Sequence, residues 1–155
     1  MPDLLLLNGP NLGILGRRRP ELYGHETLAD IERMVGAELA PYGLGLRSVQ
    51  RDGEGELVGA IQDSYGTVGA VVNPGALMIA GWSLRDALEN YPRPWIEVHL
   101  SNVWAREGFR HQSVTAPLAR GVVAGLGAFG YRLAARAVAE LLAADAGGAP
   151  GRAVK

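Results

Sequence analysis

A tyrosine and three successive arginines follow the first hydrophobic segment of the chain, inside a glycine-rich stretch that reads NGPNLGILGRRRPELYG over residues 8–24. The apolar run at residues 4–7 predicts a buried strand of a parallel sheet. In open α/β sheets, the loops at the carboxyl ends of the strands carry the ligand sites. We therefore expect Arg18 and Tyr23 at an active site, where a guanidinium and a phenol lie close together.

The arginine cluster gives Tyr23 a means to act as a base. A phenol ordinarily ionises near pH 10, so its use as a base near neutral pH requires a pKa lower by about three units, or about 4 kcal/mol. A guanidinium about 4 Å away supplies that amount at an effective dielectric constant of about 20, before the desolvation penalty is subtracted. One arginine is sufficient, although the residues alone also allow a solvated arginine patch and a tyrosine that only packs.

Polar residues end two further predicted strands. His99 ends one, and histidine is a favoured acid–base group near neutral pH. The backbone amides of Leu100 and Ser101, which follow it, can form a small nest for a carboxylate. Asn73 ends the other strand. The residues alone leave two other interpretations open, a hydrogen-bonded core histidine at His99 and an Asn73 that only starts a turn.

Strand and helix patterns alternate along the chain. Strands are predicted at residues 4–7, 46–50, 69–73, 94–99 and 121–124. Helices are predicted from a capping box of Thr27 and Asp30, from about residue 54 to Gly66, from a second capping box of Ser83 and Asp86, and over residues 129–143. We expect a single catalytic domain at residues 1–144 and a flexible C-terminal tail at residues 145–155.

This alternation predicts an α/β fold, a three-layer sandwich around a five-stranded parallel sheet with right-handed crossovers. Five strands fit the flavodoxin-like order 2-1-3-4-5, in which the topological switch falls between strands one and three. Asn8, Asn73 and His99 would then converge in one crevice at the carboxyl ends of the strands.

The composition excludes several kinds of chemistry. The chain of 155 residues has no cysteine, and Lys155 is its one lysine, so thiolates, disulfides and buried-lysine Schiff bases are excluded. A net charge of −1 argues against a nucleic-acid partner, and no apolar run is long enough to span a membrane. With no signal-like segment at the amino terminus, we expect a cytoplasmic protein with a small-molecule substrate.

A glycine pattern near the C-terminus resembles a dinucleotide fingerprint. Gly125, Gly127 and Gly130 spell G-x-G-x-x-G between a predicted strand and a predicted helix. A dinucleotide site also needs a further strand with an acidic residue, and none follows here. We therefore assign these glycines to close turn and packing contacts.

Seven segments, taken in order, resemble the type II 3-dehydroquinate dehydratases from about residue 4 to residue 142. They are NGPNL at 8–12, LG-x-R-x-P-x-x-YG at 15–24, EGEL at 54–57, LRDAL at 84–88, EVHLSN at 97–102, ARE-x-FR at 105–110 and GVV-x-GLG-x-x-GY at 121–131. The resemblance implies a flavodoxin-like fold, a homododecamer built as a tetramer of trimers, and catalysis with neither a metal nor an organic cofactor. It also implies a lyase of the shikimate pathway, which leads to chorismate and the aromatic amino acids.

The resemblance also implies roles for particular residues, in an anti elimination through an enolate. Tyr23 would remove a proton beside the substrate ketone with Arg18 holding it as phenolate, and His99 would protonate the departing hydroxyl. Asn11 resembles the residue that positions a water on the enolate, and Asp86 matches an acid that reaches a neighbouring subunit's site. Positions that match the family's contacts to substrate hydroxyls and carboxylate are Asn73, Leu100, Ser101 and Arg110.

One wall of the expected pocket departs from the family pattern. Met78, Ile79, Ala80 and Gly81 replace the usual Thr-His-Thr-Ser, and Trp82 replaces a small residue. Ile79 takes the place of a substrate-binding histidine, and a substrate hydroxyl left without its partner typically costs about 1 to 3 kcal/mol. Three interpretations follow: a working 3-dehydroquinate dehydratase, a diverged paralogue acting on a related cyclic hydroxyketo acid, and an inactive oligomeric relative.

Overall fold

The computed structural model describes residues 1–147 and confirms an α/β protein built on a parallel sheet. The strands are β1 (Asp3–Asn8), β2 (Gly45–Gln50), β3 (Ala70–Asn73), β4 (Trp95–His99) and β5 (Gly121–Ala124). Neighbouring strands run parallel in the order β2-β1-β3-β4-β5, which is the predicted flavodoxin-like order. The register pairs Asn8 with Asn73, so these two asparagines lie side by side at the carboxyl edge of the sheet.

Helices cover both faces of this sheet. They are α1 (Pro20–Tyr23), α2 (Leu28–Leu39), α3 (Glu54–Gln62), α4 (Leu77–Ala80), α5 (Trp82–Asn90) and α6 (Ala128–Ala146). Short 3-10 turns at Leu12–Ile14, Val103–Ala105 and Gly108–Arg110 lie in the loops that leave β1 and β4. None of the helices within residues 1–147 has the length and apolar character needed to cross a membrane.

Alternating side chains of β1 serve two cores on opposite faces of the sheet. Leu4 and Leu6 are buried together with residues of α2 and α6, whereas Leu5 and Leu7 are buried with residues of α3 and α5. Complete burial of such a side chain contributes about 1.5 to 3 kcal/mol. Because β1 is held from both faces, the loop that leaves its carboxyl end starts from a fixed point.

The N-terminus of α2 has the predicted capping box. The Thr27 hydroxyl accepts a hydrogen bond from the Asp30 amide at 3.1 Å, and the Asp30 carboxylate accepts one from the Thr27 amide at 2.9 Å. Both residues thereby satisfy backbone donors that the first turn of a helix leaves free. This helix orients the chain as it returns from the loop after β1.

The second predicted capping box, at Ser83 and Asp86, is wrong. The α5 helix already begins at Trp82, so Ser83 lies inside its first turn. The residue before the helix is Gly81, which has no side chain to cap it. The amide of Leu84 is instead satisfied by the carboxylate of Glu54 from α3, at 3.1 Å. Only one residue separates α4 from α5. The contact from Glu54 thus takes the place of a local cap.

The end of α3 also differs from the prediction, since the helix stops at Gln62 rather than near Gly66. The Ser64 hydroxyl donates to the carbonyl of Ala60 at 2.7 Å, and the Thr67 hydroxyl donates to the carbonyl of Ser64 at 2.6 Å. The Ser64 hydroxyl thus satisfies one of the last carbonyls of the helix, and the Thr67 hydroxyl secures the turn that follows it.

The last helix is longer than predicted. The α6 helix runs from Ala128 to Ala146 and therefore includes Asp145, which we had assigned to the tail. The remainder of the predicted tail, residues 148–155, lies outside the described residues. Before the helix, Gly125 has φ +86° and a side chain there would lie 3.0 Å from Asn102, so it serves the tight turn after β5 as predicted.

Candidate active site

A pocket opens at the carboxyl ends of β1, β3 and β4, where the topology predicts it. Its lining combines three arginines, a tyrosine, a histidine and an asparagine with apolar residues, which suits a polar small-molecule ligand. Most of the predicted site residues line it, namely Arg18, Tyr23, Asn73, His99, Leu100, Ser101 and Arg110. Asn11 and Asp86 are not among the residues that line it.

Tyr23 reaches this pocket from the single turn of α1, which starts with Pro20. Proline suits the first position of a helix because its φ is already fixed near the helical value. The ring of Tyr23 is buried, and the guanidinium carbon of Arg18 lies 4.2 Å from the ring centroid. The predicted tyrosine–arginine pair is therefore present, with Arg18 stacked over the face of the ring.

The hydroxyl of Tyr23 has a different cationic partner. Arg106 Nη1 donates a hydrogen bond to Tyr23 Oη at 2.8 Å and another to Ser101 Oγ at 3.3 Å. Only 11% of the Arg106 side chain is exposed, and its Nε also lies 3.7 Å from Glu107 Oε2. Our sequence reasoning gave Arg106 no role, although it lies in the matching segment ARE-x-FR and its charge was a signal we did not use.

His99 lies against a buried carboxylate. His99 Nε2 is 2.9 Å from Glu97 Oε2, and both side chains are almost completely buried. The other donors to this carboxylate are Ser113 Oγ at 3.2 Å and the hydroxyl of Thr115. A carboxylate that is hydrogen-bonded to three groups is held in place, and it fixes the orientation of the His99 ring.

Glu97 is a second site residue that our sequence reasoning missed. The signal was present, because β4 reads WIEVH and Glu97 is a charged residue in an otherwise apolar strand. Residues two apart in a strand face the same side, so Glu97 and His99 must be neighbours. His99 is thus hydrogen-bonded within the protein, and it also lines the pocket.

Asn73 both shapes a turn and faces the pocket. Its Oδ1 accepts from the amide of Gly75 at 3.0 Å, which is the turn contact that sequence allowed. Its Nδ2 donates to the hydroxyl of Tyr131 at 2.8 Å. Each of these atoms keeps a further hydrogen-bonding position, so Asn73 can still offer one N–H and one lone pair to a ligand.

Asn11 lies on the loop beside the pocket. It is exposed and has φ +68°, and its backbone amide donates to Asp52 Oδ1 at 2.9 Å. Gln50 Nε2 donates to the same carboxylate oxygen at 3.1 Å. The loop after β1 is thus tied to the segment that follows β2, and Asn11 itself is exposed.

Asp86 lies away from the pocket on α5. Three quarters of its side chain is exposed, and its nearest cation is the neighbouring Arg85, at 4.0 Å. The wall that departs from the family pattern is formed by α4, where buried Met78 lines the pocket. Ile79 is half-buried and is not one of the lining residues, and Trp82 is exposed on the surface.

The sheet order and the contents of the pocket together define a flavodoxin-like protein whose site holds a tyrosine and a histidine, each with a charged partner. Tyr23 contacts two guanidinium groups, and His99 is held by a buried carboxylate. The family model described as dehydroquinase class II matches residues 2–139. The chain belongs to this family, as the sequence resemblance implied.

Individual relatives agree with this assignment. The chain is 50% identical to the 3-dehydroquinate dehydratase of Deinococcus radiodurans over 141 residues, which cover 90% of this chain and 99% of that protein. It is 48% identical over 140 residues to that of Gloeobacter violaceus, covering 90% and 88%. The crystal structure of the type II dehydroquinase from Propionibacterium acnes matches with a TM-score of 0.85 at 40% identity, covering 90% of this chain and 97% of that one.

Proposed function

We propose that the protein dehydrates 3-dehydroquinate to 3-dehydroshikimate, in the shikimate pathway, by an anti elimination through an enolate. The observation that carries this proposal is that one pocket presents a cation-paired phenol and a carboxylate-paired imidazole. Two such groups in one pocket suit the removal of one proton and the delivery of another. The substrate follows from the relatives, which are 3-dehydroquinate dehydratases.

In the first step Tyr23 acts as the base. Its phenolate takes a proton from the carbon beside the substrate ketone, and the electron pair moves onto the ketone oxygen to give an enolate. Arg106 holds the phenolate through its hydrogen bond of 2.8 Å, and Arg18 adds a second positive charge over the ring. Asn11 is proposed to position the water that stabilises the enolate oxygen.

In the second step His99 acts as the acid. The enolate collapses to form the carbon–carbon double bond, and the β-hydroxyl leaves with the imidazolium proton of His99 as water. The carboxylate of Glu97, 2.9 Å from Nε2, stabilises the protonated ring before transfer. The phenol of Tyr23 and the neutral imidazole of His99 then exchange a proton with solvent, which restores both groups.

Substrate binding is assigned to the remaining polar groups of the pocket. Asn73 offers its free N–H and lone pair to substrate hydroxyls, and Arg110 offers a guanidinium to the carboxylate. Ser101 and the backbone amide of Leu100 complete the carboxylate site. The protein itself supplies the whole reaction in this proposal, with neither a metal nor an organic cofactor.

We also propose a homododecamer, a tetramer of trimers, in the cytoplasm, with Asp86 reaching the pocket of a neighbouring subunit. Trp104 and Phe109 flank Arg106 in sequence and are 58% and 60% exposed, which supports burial against another chain. Sedimentation or light scattering gives the particle mass directly. A monomer at the concentrations used for assays would overturn this part of the proposal.

The test of the activity is the appearance of the conjugated enone product from 3-dehydroquinate, followed by ultraviolet absorbance. Wild type and Tyr23→Phe are compared, with Tyr65→Phe as a matched control because that tyrosine is exposed and does not line the pocket. Turnover that disappears only in Tyr23→Phe establishes both the reaction and the base. A folded wild type with no turnover would overturn the proposal.

A second candidate is a diverged lyase that acts on a related cyclic hydroxyketo acid. The observation in its favour is the apolar α4 wall, where Met78 lines the pocket and Ile79 replaces the family's histidine. The Michaelis constant for 3-dehydroquinate separates the two, measured in wild type, Ile79→His and the apolar control Ile79→Val. A Michaelis constant that falls strongly in Ile79→His but not in Ile79→Val supports 3-dehydroquinate as the substrate. An inactive relative would turn over no acid of this class while assembling normally.

A further inference from the structure

The hydroxyl of Tyr131 lies between two asparagines at the carboxyl edge of the sheet. Tyr131 belongs to the first turn of α6 and is completely buried. Its hydroxyl accepts from Asn73 Nδ2 at 2.8 Å and donates to Asn8 Oδ1 at 2.6 Å. Tyr131 is not among the residues that line the pocket, whereas Asn73 is. The hydroxyl therefore touches the pocket only through Asn73.

The direction of these bonds fixes how Asn73 faces the pocket. A phenol has a single hydrogen, and here it points to Asn8, so its oxygen is left to accept the N–H of Asn73. Burial raises the pKa of Tyr131 above its ordinary value, and the hydroxyl therefore remains a donor at every working pH. Because the Gly75 amide donates to Oδ1, both ends of the Asn73 amide have a hydrogen-bond partner.

Asn8 supports the same arrangement. Within residues 1–147, its Nδ2 is the one buried side-chain polar atom that has no hydrogen-bond partner. An unpaired buried donor is unfavourable and does not hold the Asn8 amide in place. The contact that Asn8 does make is through its Oδ1, which accepts the hydrogen of Tyr131 and so sets the direction of the chain of bonds.

We propose that Tyr131 is a positioning residue that orients the amide of Asn73 toward a substrate hydroxyl, with Asn8 orienting Tyr131 in turn. The inference rests on the proposed function, because it takes 3-dehydroquinate as the ligand of Asn73. Removing the hydroxyl frees one end of the Asn73 amide, which then populates orientations that do not match the substrate. Ground-state binding weakens while the base and acid are untouched.

The test compares Tyr131→Phe with Tyr91→Phe, both of which remove a buried tyrosine hydroxyl that is hydrogen-bonded within the protein. We expect Tyr131→Phe to raise the Michaelis constant for 3-dehydroquinate about tenfold with little change in kcat, and Tyr91→Phe to change neither. Thermal unfolding monitors both variants. A Michaelis constant unchanged in Tyr131→Phe would overturn the inference.

A double-mutant cycle separates positioning from a general structural role. If Tyr131 acts through Asn73, Tyr131→Phe has no further effect on the Michaelis constant once Asn73→Ala is present. If the double variant instead shows the product of the two single effects on the Michaelis constant, the inference is overturned. The readout that needs no activity is the crystal structure of Tyr131→Phe, in which the Asn73 side chain should leave Gly75 or occupy two orientations. A single unchanged orientation contradicts the positioning role, whereas absence of turnover in wild type contradicts only the proposed function.

Discussion

Arg106 and Arg18 approach Tyr23 from different directions, with Arg106 donating to the hydroxyl at 2.8 Å and Arg18 lying 4.2 Å from the ring centroid. The hydrogen bond of Arg106 acts on the atom that gains the negative charge when the phenol ionises. Arg18 instead makes a cation–π contact with the face of the ring. The two arginines are therefore not equivalent, and in the proposed mechanism Arg106 is the one that supports the phenolate.

We predict that Arg106→Gln lowers kcat/KM about 100-fold, because a charge-assisted hydrogen bond to an ionised group is worth about 1.5 to 3 kcal/mol. The measurement is kcat/KM with 3-dehydroquinate, with the exposed Arg47→Gln as control. Wild-type kcat/KM in Arg106→Gln would contradict this role for Arg106.

The sequence was sufficient for the sheet and for much of the pocket, and the reason is topological. Each strand shows its own apolar pattern, and parallel strands bring their carboxyl ends to one edge. Asn73 and His99 end β3 and β4, so their meeting in the pocket follows from the strand order alone. Tyr23 follows from the same reasoning, because the loop after β1 leaves from that edge.

The remaining features depend on tertiary contacts that no local pattern carries. Arg106 follows β4 by several residues in a region of 3-10 turns, where periodicity gives no orientation. The cap of α5 comes from Glu54 of another helix. A rule that reads only neighbouring residues cannot detect this contact and assigns the cap to Ser83. The Tyr131 contact joins residues 58 positions apart, and only the packing of α6 against the sheet brings them together.

We predict that Glu97→Gln lowers kcat about 10- to 100-fold, because the amide cannot stabilise the imidazolium form of His99 by charge. The volume of the side chain is almost unchanged, so the buried site should remain packed. The measurement is kcat with 3-dehydroquinate, and the exposed Glu89→Gln on α5 serves as control. Wild-type kcat in Glu97→Gln would show that His99 does not depend on this carboxylate.

We predict that Gly9→Ala destabilises the fold by about 1 to 3 kcal/mol. The loops after β1 and β3 touch at this residue, and an added methyl group would lie 2.7 Å from the carbonyl oxygen of Pro74. Gly36→Ala is the matched control, since it lies within α2 with no atom within 4 Å and should stabilise by about 1 kcal/mol. Denaturant unfolding of both variants gives the comparison, and equal midpoints would contradict the close contact.

We predict that Thr27→Ala and Ser83→Ala differ in stability, although both positions look like helix caps in sequence. Thr27 accepts the Asp30 amide at 3.1 Å in a complete capping box, and its loss should cost about 1 kcal/mol. Ser83 lies inside the first turn of α5, where Glu54 already satisfies the Leu84 amide, so Ser83→Ala should change stability by less than about 0.5 kcal/mol. Chemical denaturation of the two variants measures the difference. A loss in Ser83→Ala as large as that in Thr27→Ala would mean that α5 is capped locally after all, and that the contact from Glu54 does not replace the cap.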